Sequence, residues 1–217
     1  MRAVFQERPS LPRYRSIWDP DLVLSYLQGL GPNSSLSIIQ LSRKLTVLML
    51  LLTGQRGQVL HFLDTRNMTI TEVTVSFRIG DHLKTSRPSD HLSEIVFESY
   101  APDERLCVHA AIVNNLDRTS VFRGSITGFF LTTVPPIRRV SWDTLRCWAK
   151  DVLLAPGIDL SIFSPHSTRS ASSSKAALTL PLSTIISTIG WSSTSTFAKF
   201  YCRPLKKQGL FARAILP

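Results

Sequence analysis

The sequence predicts an α+β domain that is mainly α-helical, with one small antiparallel β-sheet set between two blocks of helices. Apolar residues recur at helical spacing between residues 19 and 63, alternate strictly with polar ones between 73 and 79, and return to helical runs from 104 to 189. With 217 residues, 43% of them hydrophobic, the chain can fill a core of its own.

Residues 1–18 hold Arg2, Arg8, Arg13 and Arg15 beside two prolines and show little periodicity, so they read as a basic arm or the stump of a linker. Asp19 followed by Pro20 is a helix start, continued by Leu22, Val23, Tyr26, Leu27 and Leu30 and ended by Gly29, Gly31 and Pro32. Ser34 and Ser35 offer the next cap. The stretch from Leu36 to about Leu52 is apolar nearly all round, as expected of a helix at the centre of a core. A short helical segment follows over about 55–63.

Val73, Val75, Phe77 and Ile79 alternate with Thr74, Ser76 and Arg78 as a half-buried strand requires, and Ile95–Phe97 supplies the returning strand of a hairpin whose loop holds Ser86-Arg87-Pro88-Ser89. Helices are then expected over 104–116, 141–154 with Ser141 as cap, 167–178, and 181–189 opened by Pro181.

Lys and Arg exceed Asp and Glu by 25 to 15, a formal charge of +10, which attracts polyanions and makes nucleic acid the leading partner; a basic soluble protein without such a partner fits the charge equally. Cys107, Cys147 and Cys202 are odd in number and far apart, against a disulfide framework or a CxxC metal site, and point to a reducing intracellular compartment; the location expected is nuclear if the source is eukaryotic. Cys107 and His109 read as ordinary helix residues. The apolar run Val47–Leu52 is much shorter than the ~20 residues of a membrane span, and the N-terminus lacks the apolar core of a secretory signal. No membrane, metal or small-molecule cofactor is expected.

One segment carries chemistry. Ser164-Pro165-His166-Ser167-Thr168-Arg169 puts a His and an Arg three residues apart at a helix start, where unpaired backbone N–H groups also favour an anion. A phosphate fits such a corner: arginine offers a planar fork of donors and histidine can donate or carry a proton. Taken alone, the spacing fits an unremarkable helix start as well.

Further members follow in chain order: Gln55-Arg56, Lys84 at the hairpin turn, His166-x-x-Arg169, Gly190-Trp191 and Tyr201. That set resembles the catalytic domain of the tyrosine recombinases, the phage-integrase type of DNA breaking and rejoining enzymes. The wording of Leu83-Lys84-Thr85-Ser86-Arg87-Pro88, of His166 through Ser172, and of Gly190-Trp191-Ser192-Ser193 through Thr196-Phe197-Ala198-Lys199-Phe200-Tyr201 is similar to the recombinases of DIRS-type retrotransposons. The likeness spans about residues 10–205. It implies a basic arm at 1–18, a catalytic domain at 19–205 and a basic tail at 206–217.

The resemblance also implies roles. Tyr201 would attack a DNA phosphodiester and form a 3′-phosphotyrosyl intermediate, Arg56 and Arg169 would hold non-bridging oxygens, Lys84 would protonate the leaving 5′-oxygen, His166 would bond the phosphate or move a proton, and Trp191 would donate its indole N–H. The partners implied are double-stranded DNA and a homo-oligomer upon it, with neither metal nor ATP. Each residue has a plainer reading: Tyr201 as a half-buried aromatic, Arg56 as a surface arginine, Lys84 as a solubilising turn lysine with Arg78 and Arg87 as rivals, and Trp191 as core. Two positions depart from the family pattern. Val59 stands three after Arg56, where bacterial relatives often have an acid, and the more usual nucleophile spacing falls on Phe200.

Enzymes of this type normally carry an upstream helical clamp domain, and only about 18 residues precede the catalytic fold. Either the chain is a fragment missing its clamp, or it is the alternative, a noncatalytic DNA-binding relic of a mobile element. Topoisomerase-like relaxation is a third, since that class shares the chemistry.

Overall fold

The computed structural model describes residues 12–79, 94–191 and 194–206. Lys84 and Arg87, the hairpin loop, most of the basic arm and nearly all of the basic tail lie outside them.

The expected order of helices, sheet and helices is present. The first helix, α1 (Pro20–Gly29), is capped by Asp19, whose side chain accepts from the Asp21 amide. The next, α2 (Ile38–Thr53), begins at Ser37 and not at Ser34 or Ser35, which form a short 3-10 turn. The reason is a reciprocal cap: the Gln40 amide donates to Ser37 Oγ while Gln40 Oε1 accepts from the Ser37 amide. Leu41, Leu45, Val47, Leu48 and Met49 are wholly buried, so α2 is the central helix, as its apolar run predicts.

A short strand β1 (Ile17–Trp18) precedes α1, and after the one-and-a-half-turn α3 (Gly57–His61) the strands β2 (Met68–Ile70), β3 (Thr74–Arg78) and β4 (Glu94–Glu98) pair antiparallel in that order. The central strand β3 (Thr74–Arg78) and β4 (Glu94–Glu98) match the alternation, with Val75 opposite Phe97 and Phe77 opposite Ile95, all four buried. β2 (Met68–Ile70) was not foreseen; its side chains are largely exposed, so no alternation marks it.

The helix expected over 104–116 runs instead over α4 (Val108–Arg123). Asp103 caps a 3-10 turn at Glu104–Leu106, and Cys107 Sγ caps the helix itself. Its polar last turns persist because Arg123 Nη1 donates to Gly128 O at 2.6 Å and Nη2 to Phe129 O at 3.1 Å, anchors that no local pattern announces. Next come α5 (Trp142–Leu154), capped by Ser141, then α6 (Ser167–Ala176), α7 (Leu182–Ile189) and α8 (Thr194–Phe200).

Two features tie the chain ends to this frame. Tyr14, Ile17 and Trp18, within the stretch expected to be an arm, are buried in the main core. And β1 pairs in parallel with β5 (Leu205–Lys206), so the segment before α1 and the segment after Tyr201 hold each other.

Candidate functional site

Residues 54–57 form a rigid corner. Gly54 ends α2 in the left-handed conformation, and a Cβ on it would come within 2.9 Å of the Ile189 side chain. Gln55 is buried and donates Nε2 to Thr188 O at 3.2 Å. A Cβ on Gly57 would strike the Trp142 ring at 2.1 Å, so only glycine permits this approach. Half-buried Arg56, at the cap position of α3, follows this corner, and its charge acts on both His166 and Arg169.

The turn 164–166 forms the opposite wall. Trp18 Nε1 donates to Ser167 Oγ at 2.8 Å, and the Ser164 amide donates to Tyr14 Oη at 3.4 Å, which fixes the start of α6 from the N-terminal side. His166 occupies the cap position and is exposed, while Arg169, one turn on, is 2% exposed. Arg169 Nη1 donates to Gly54 O at 3.0 Å and Nη2 to Ile189 O at 3.4 Å; its Nε meets no acceptor among the described residues. It thus links the α2–α3 corner to the end of α7.

Trp191 and Tyr201 complete the cleft. The Arg169 guanidinium carbon lies 4.7 Å from the Trp191 ring centre and 5.7 Å from that of Tyr201, and the two rings are 4.7 Å apart. Buried Phe197 packs beneath, with its ring 5.1 Å from Trp191. Phe200, at the more usual nucleophile spacing, carries Lys199 Nζ 5.2 Å from its ring, whereas the Tyr201 ring is the one beside Arg169. Val59 is buried in the main core, so no carboxylate stands at that position.

The site is electropositive. Burial, together with Arg56, pushes the Arg169 guanidinium down to about 10, with Tyr201 opposing the shift, and it stays charged at neutral pH. Desolvation and then the positive charges of Arg169, Arg56 and Arg13 push His166 below its ordinary value, which disfavours the protonated ring. The charges acting on His166 are all positive, and an anion is what such a cluster lacks.

Five of the six expected residues, Arg56, His166, Arg169, Trp191 and Tyr201, come together from four separate segments. The sixth, Lys84, lies outside the described residues, and Arg78, its described rival, is exposed on the sheet. Sequence reasoning placed Arg13 in the arm and overlooked Arg146. Both line a cavity of about 260 Å³ next to the cleft, which shares His166 with it and is also lined by Gln55, Trp142 and Thr168. No local pattern marks Arg13; the burial of its neighbour Tyr14, which holds it there, is itself a tertiary feature. Among the described residues no cluster of His, Cys, Asp or Glu could hold a metal ion, and no helix is long and apolar enough to cross a membrane.

No family model matches the sequence, and no curated protein is significantly similar to it. Solved structures do match. The XerH site-specific recombinase bound to difH substrate, in a pre-cleavage complex, superposes with a TM-score of 0.62 at 12% identity, over 93% of this chain and 54% of that one. The XerA recombinase gives 0.62 at 16% identity, over 97% and 68%. A lambda integrase tetramer bound to a Holliday junction gives 0.53 at 18% identity, over 89% and 50%. This chain has the fold of a tyrosine recombinase catalytic domain. It spans about half the length of the XerH chain. The fold class read from the sequence is therefore correct. The narrower likeness to DIRS-type enzymes is not reached by these matches.

Proposed function

We propose that this chain is the catalytic domain of a site-specific DNA recombinase or integrase, closest to the DIRS-type enzymes, that cleaves and rejoins double-stranded DNA with Tyr201 as nucleophile. The observation that carries this reading is the convergence of Arg56, His166, Arg169, Trp191 and Tyr201 on one positively charged cleft in a recombinase fold.

Tyr201 Oη attacks the scissile phosphorus, an O–P bond forms and the bond from phosphorus to the 5′-oxygen breaks. One phosphodiester replaces another, so the bond energy is stored and resealing needs no ATP. The phenolic proton leaves toward His166, whose neutral, proton-accepting form is favoured by the cations around it. Arg56 and Arg169 stabilise the charge on the equatorial oxygens of the pentacoordinate phosphorus, the role that preorganised donors fill best. Arg169 is preorganised by Gly54 O and Ile189 O, which fix its plane before DNA arrives. Trp191 stacks on that guanidinium and excludes water from it. Lys84 protonates the leaving 5′-oxygen. Arg13 and Arg146 hold backbone phosphates beside the scissile one. The domain spans 19–205 with the buried part of 12–18, and it assembles as a homo-oligomer on DNA.

The test is incubation with nicked or phosphorothiolate-containing duplexes without added metal. A covalent protein–DNA band is expected for wild type and none for Tyr201→Phe. Equal bands from both, or none from wild type, would overturn the assignment, and a salt-sensitive shift without adduct would leave a DNA-binding protein.

A further inference from the structure

Serine is a poor residue for a helix interior, yet α6 carries Ser167, Ser170, Ser172, Ser173 and Ser174. Apart from Ser167, whose hydroxyl accepts from Trp18, their hydroxyls divide into two groups. Ser172 and Ser173 bond back to Arg169 O within their own helix, at 3.4 and 2.7 Å. Ser170 and Ser174, one turn apart on a single face, both leave the helix and donate to the same acceptor, the backbone carbonyl of Tyr201, each at 2.8 Å. Ser174 Oγ also accepts from the Arg203 amide at 2.9 Å. Both serines are buried, so these bonds are shielded from competing water.

The Tyr201 carbonyl has no helical partner to accept from, because α8 ends at Phe200 and the chain turns away. The Tyr201 and Cys202 amides both donate to Phe197 O at 2.9 Å, and three residues on the chain enters β5, where the Ile17 amide donates to Pro204 O at 3.0 Å. Trp18, the neighbour of Ile17 in β1, donates in turn to Ser167 at the head of α6. The backbone around Tyr201 is thus held in a closed circuit of contacts that begins and ends on the helix bearing His166 and Arg169.

We propose that Ser170 and Ser174 are positioning residues for the nucleophile: by gripping the Tyr201 carbonyl from α6 they set the phenol in register with the phosphate-binding groups of its own subunit. The inference rests on the reading of Tyr201 as the nucleophile. One helix then serves two ends of the reaction. His166 and Arg169 face the phosphate, and Ser170 and Ser174 fix the chain that delivers the attacking oxygen. Small errors in the placement of reacting atoms are costly to rate while leaving binding intact.

The test compares Ser170→Ala/Ser174→Ala with Ser173→Ala, a hydroxyl deletion on the same helix at similar burial whose only bonds are local. Three measurements are made on the full chain: single-turnover cleavage of a phosphorothiolate duplex, DNA affinity, and hydrogen exchange of the peptide covering 197–206. The double variant is expected to cleave about 10- to 100-fold more slowly, with affinity within about twofold of wild type and exchange at Tyr201 and Cys202 raised about tenfold. Ser173→Ala is expected to match wild type in all three. If the double variant proves poorly folded, Ser174→Ala alone is expected to show the same split at smaller size. Cleavage or exchange unchanged in the double variant, or cleavage and affinity falling together, overturns the proposal. Absence of an adduct from wild type overturns the nucleophile reading instead, and exchange still reports whether the serines hold the Tyr201 backbone.

Discussion

The main core and the small cluster under Tyr201 are built differently. The main core is continuous: α2 packs against α1, α4, α5 and α6, the sheet packs on α4, and Leu41, Leu45, Leu48, Phe77 and Phe129 are sealed from solvent. Among the described residues the second cluster consists of Ile185, Ile189 and Phe197, with Ala176, Ala177, Trp191 and Tyr201 packed against it. It is joined to the rest by polar links, namely Arg169 to Ile189 O, Gln55 to Thr188 O and the two serines to Tyr201 O. Stability is thus concentrated in one region and the proposed nucleophile in another, where a few hydrogen bonds set the geometry. Segments that must move or deliver a reactive group are commonly drawn from the less stable end of a fold.

The largest effects should show this division directly. Leu45→Ala is expected to lower global stability by about 2–5 kcal/mol, and denaturant unfolding followed by far-UV dichroism checks it. Phe197→Ala deletes a side chain of larger volume, yet exchange should rise across 182–206 while 38–53 stays protected. Equal loss of protection in both regions would show that the two are one cooperative unit.

Arg169→Lys keeps the charge but loses the fork that reaches Gly54 O and Ile189 O while stacked on Trp191. Covalent adduct formation is expected to slow by about 10²–10³-fold. A rate within threefold of wild type would mean that the linker between the two regions is only a charge. Gly57→Ala drives a methyl into the Trp142 ring and is expected to cost about 1–3 kcal/mol by thermal melting while moving Arg56 off the cleft. Unchanged melting with full cleavage would place the corner outside the site.

The smallest effect concerns pH. The folded protein depresses His166 below its unfolded value, so between the two values the unfolded chain binds more protons. The associated stability is complete above about pH 6.5 and is lost as pH falls through the folded value. His166→Gln should therefore flatten the acid side of a melting-temperature profile. DNA binding should show the opposite trend and tighten on acidification, because a phosphate favours the protonated ring. Parallel profiles for wild type and variant would remove His166 from the cationic cluster.

Much of the fold was legible because its signals are local. The apolar run of α2, the Ser141 cap of α5 and the alternation of Val75 and Phe77 each depend on residues within a few positions of one another, and so does His166-x-x-Arg169. The strand β2 was hidden because its exposed faces leave no pattern, and the true cap of α2 was hidden because Ser34, Ser35 and Ser37 are chemically alike until Gln40 chooses among them. In the site, residue types were readable while their partners were not. Nothing near Arg169 in the chain indicates that its donors end on Gly54 and Ile189, and nothing near Ser170 points to Tyr201.

By itself the sequence determined the class of the fold, the helix that fills its centre, and the order of the groups able to meet a phosphate. These follow from side-chain polarity at a fixed spacing, which the backbone period converts into a face. Tertiary structure alone decided that Tyr14, Ile17 and Trp18 belong to the core, that Arg13 lines the cavity beside His166, and that Tyr201, not Phe200, lies beside Arg169. Those outcomes depend on burying polar atoms against partners more than a hundred positions away in several cases, as Trp18 does on Ser167. The requirement that a buried donor find an acceptor selects such a partner, but only once the chain has folded.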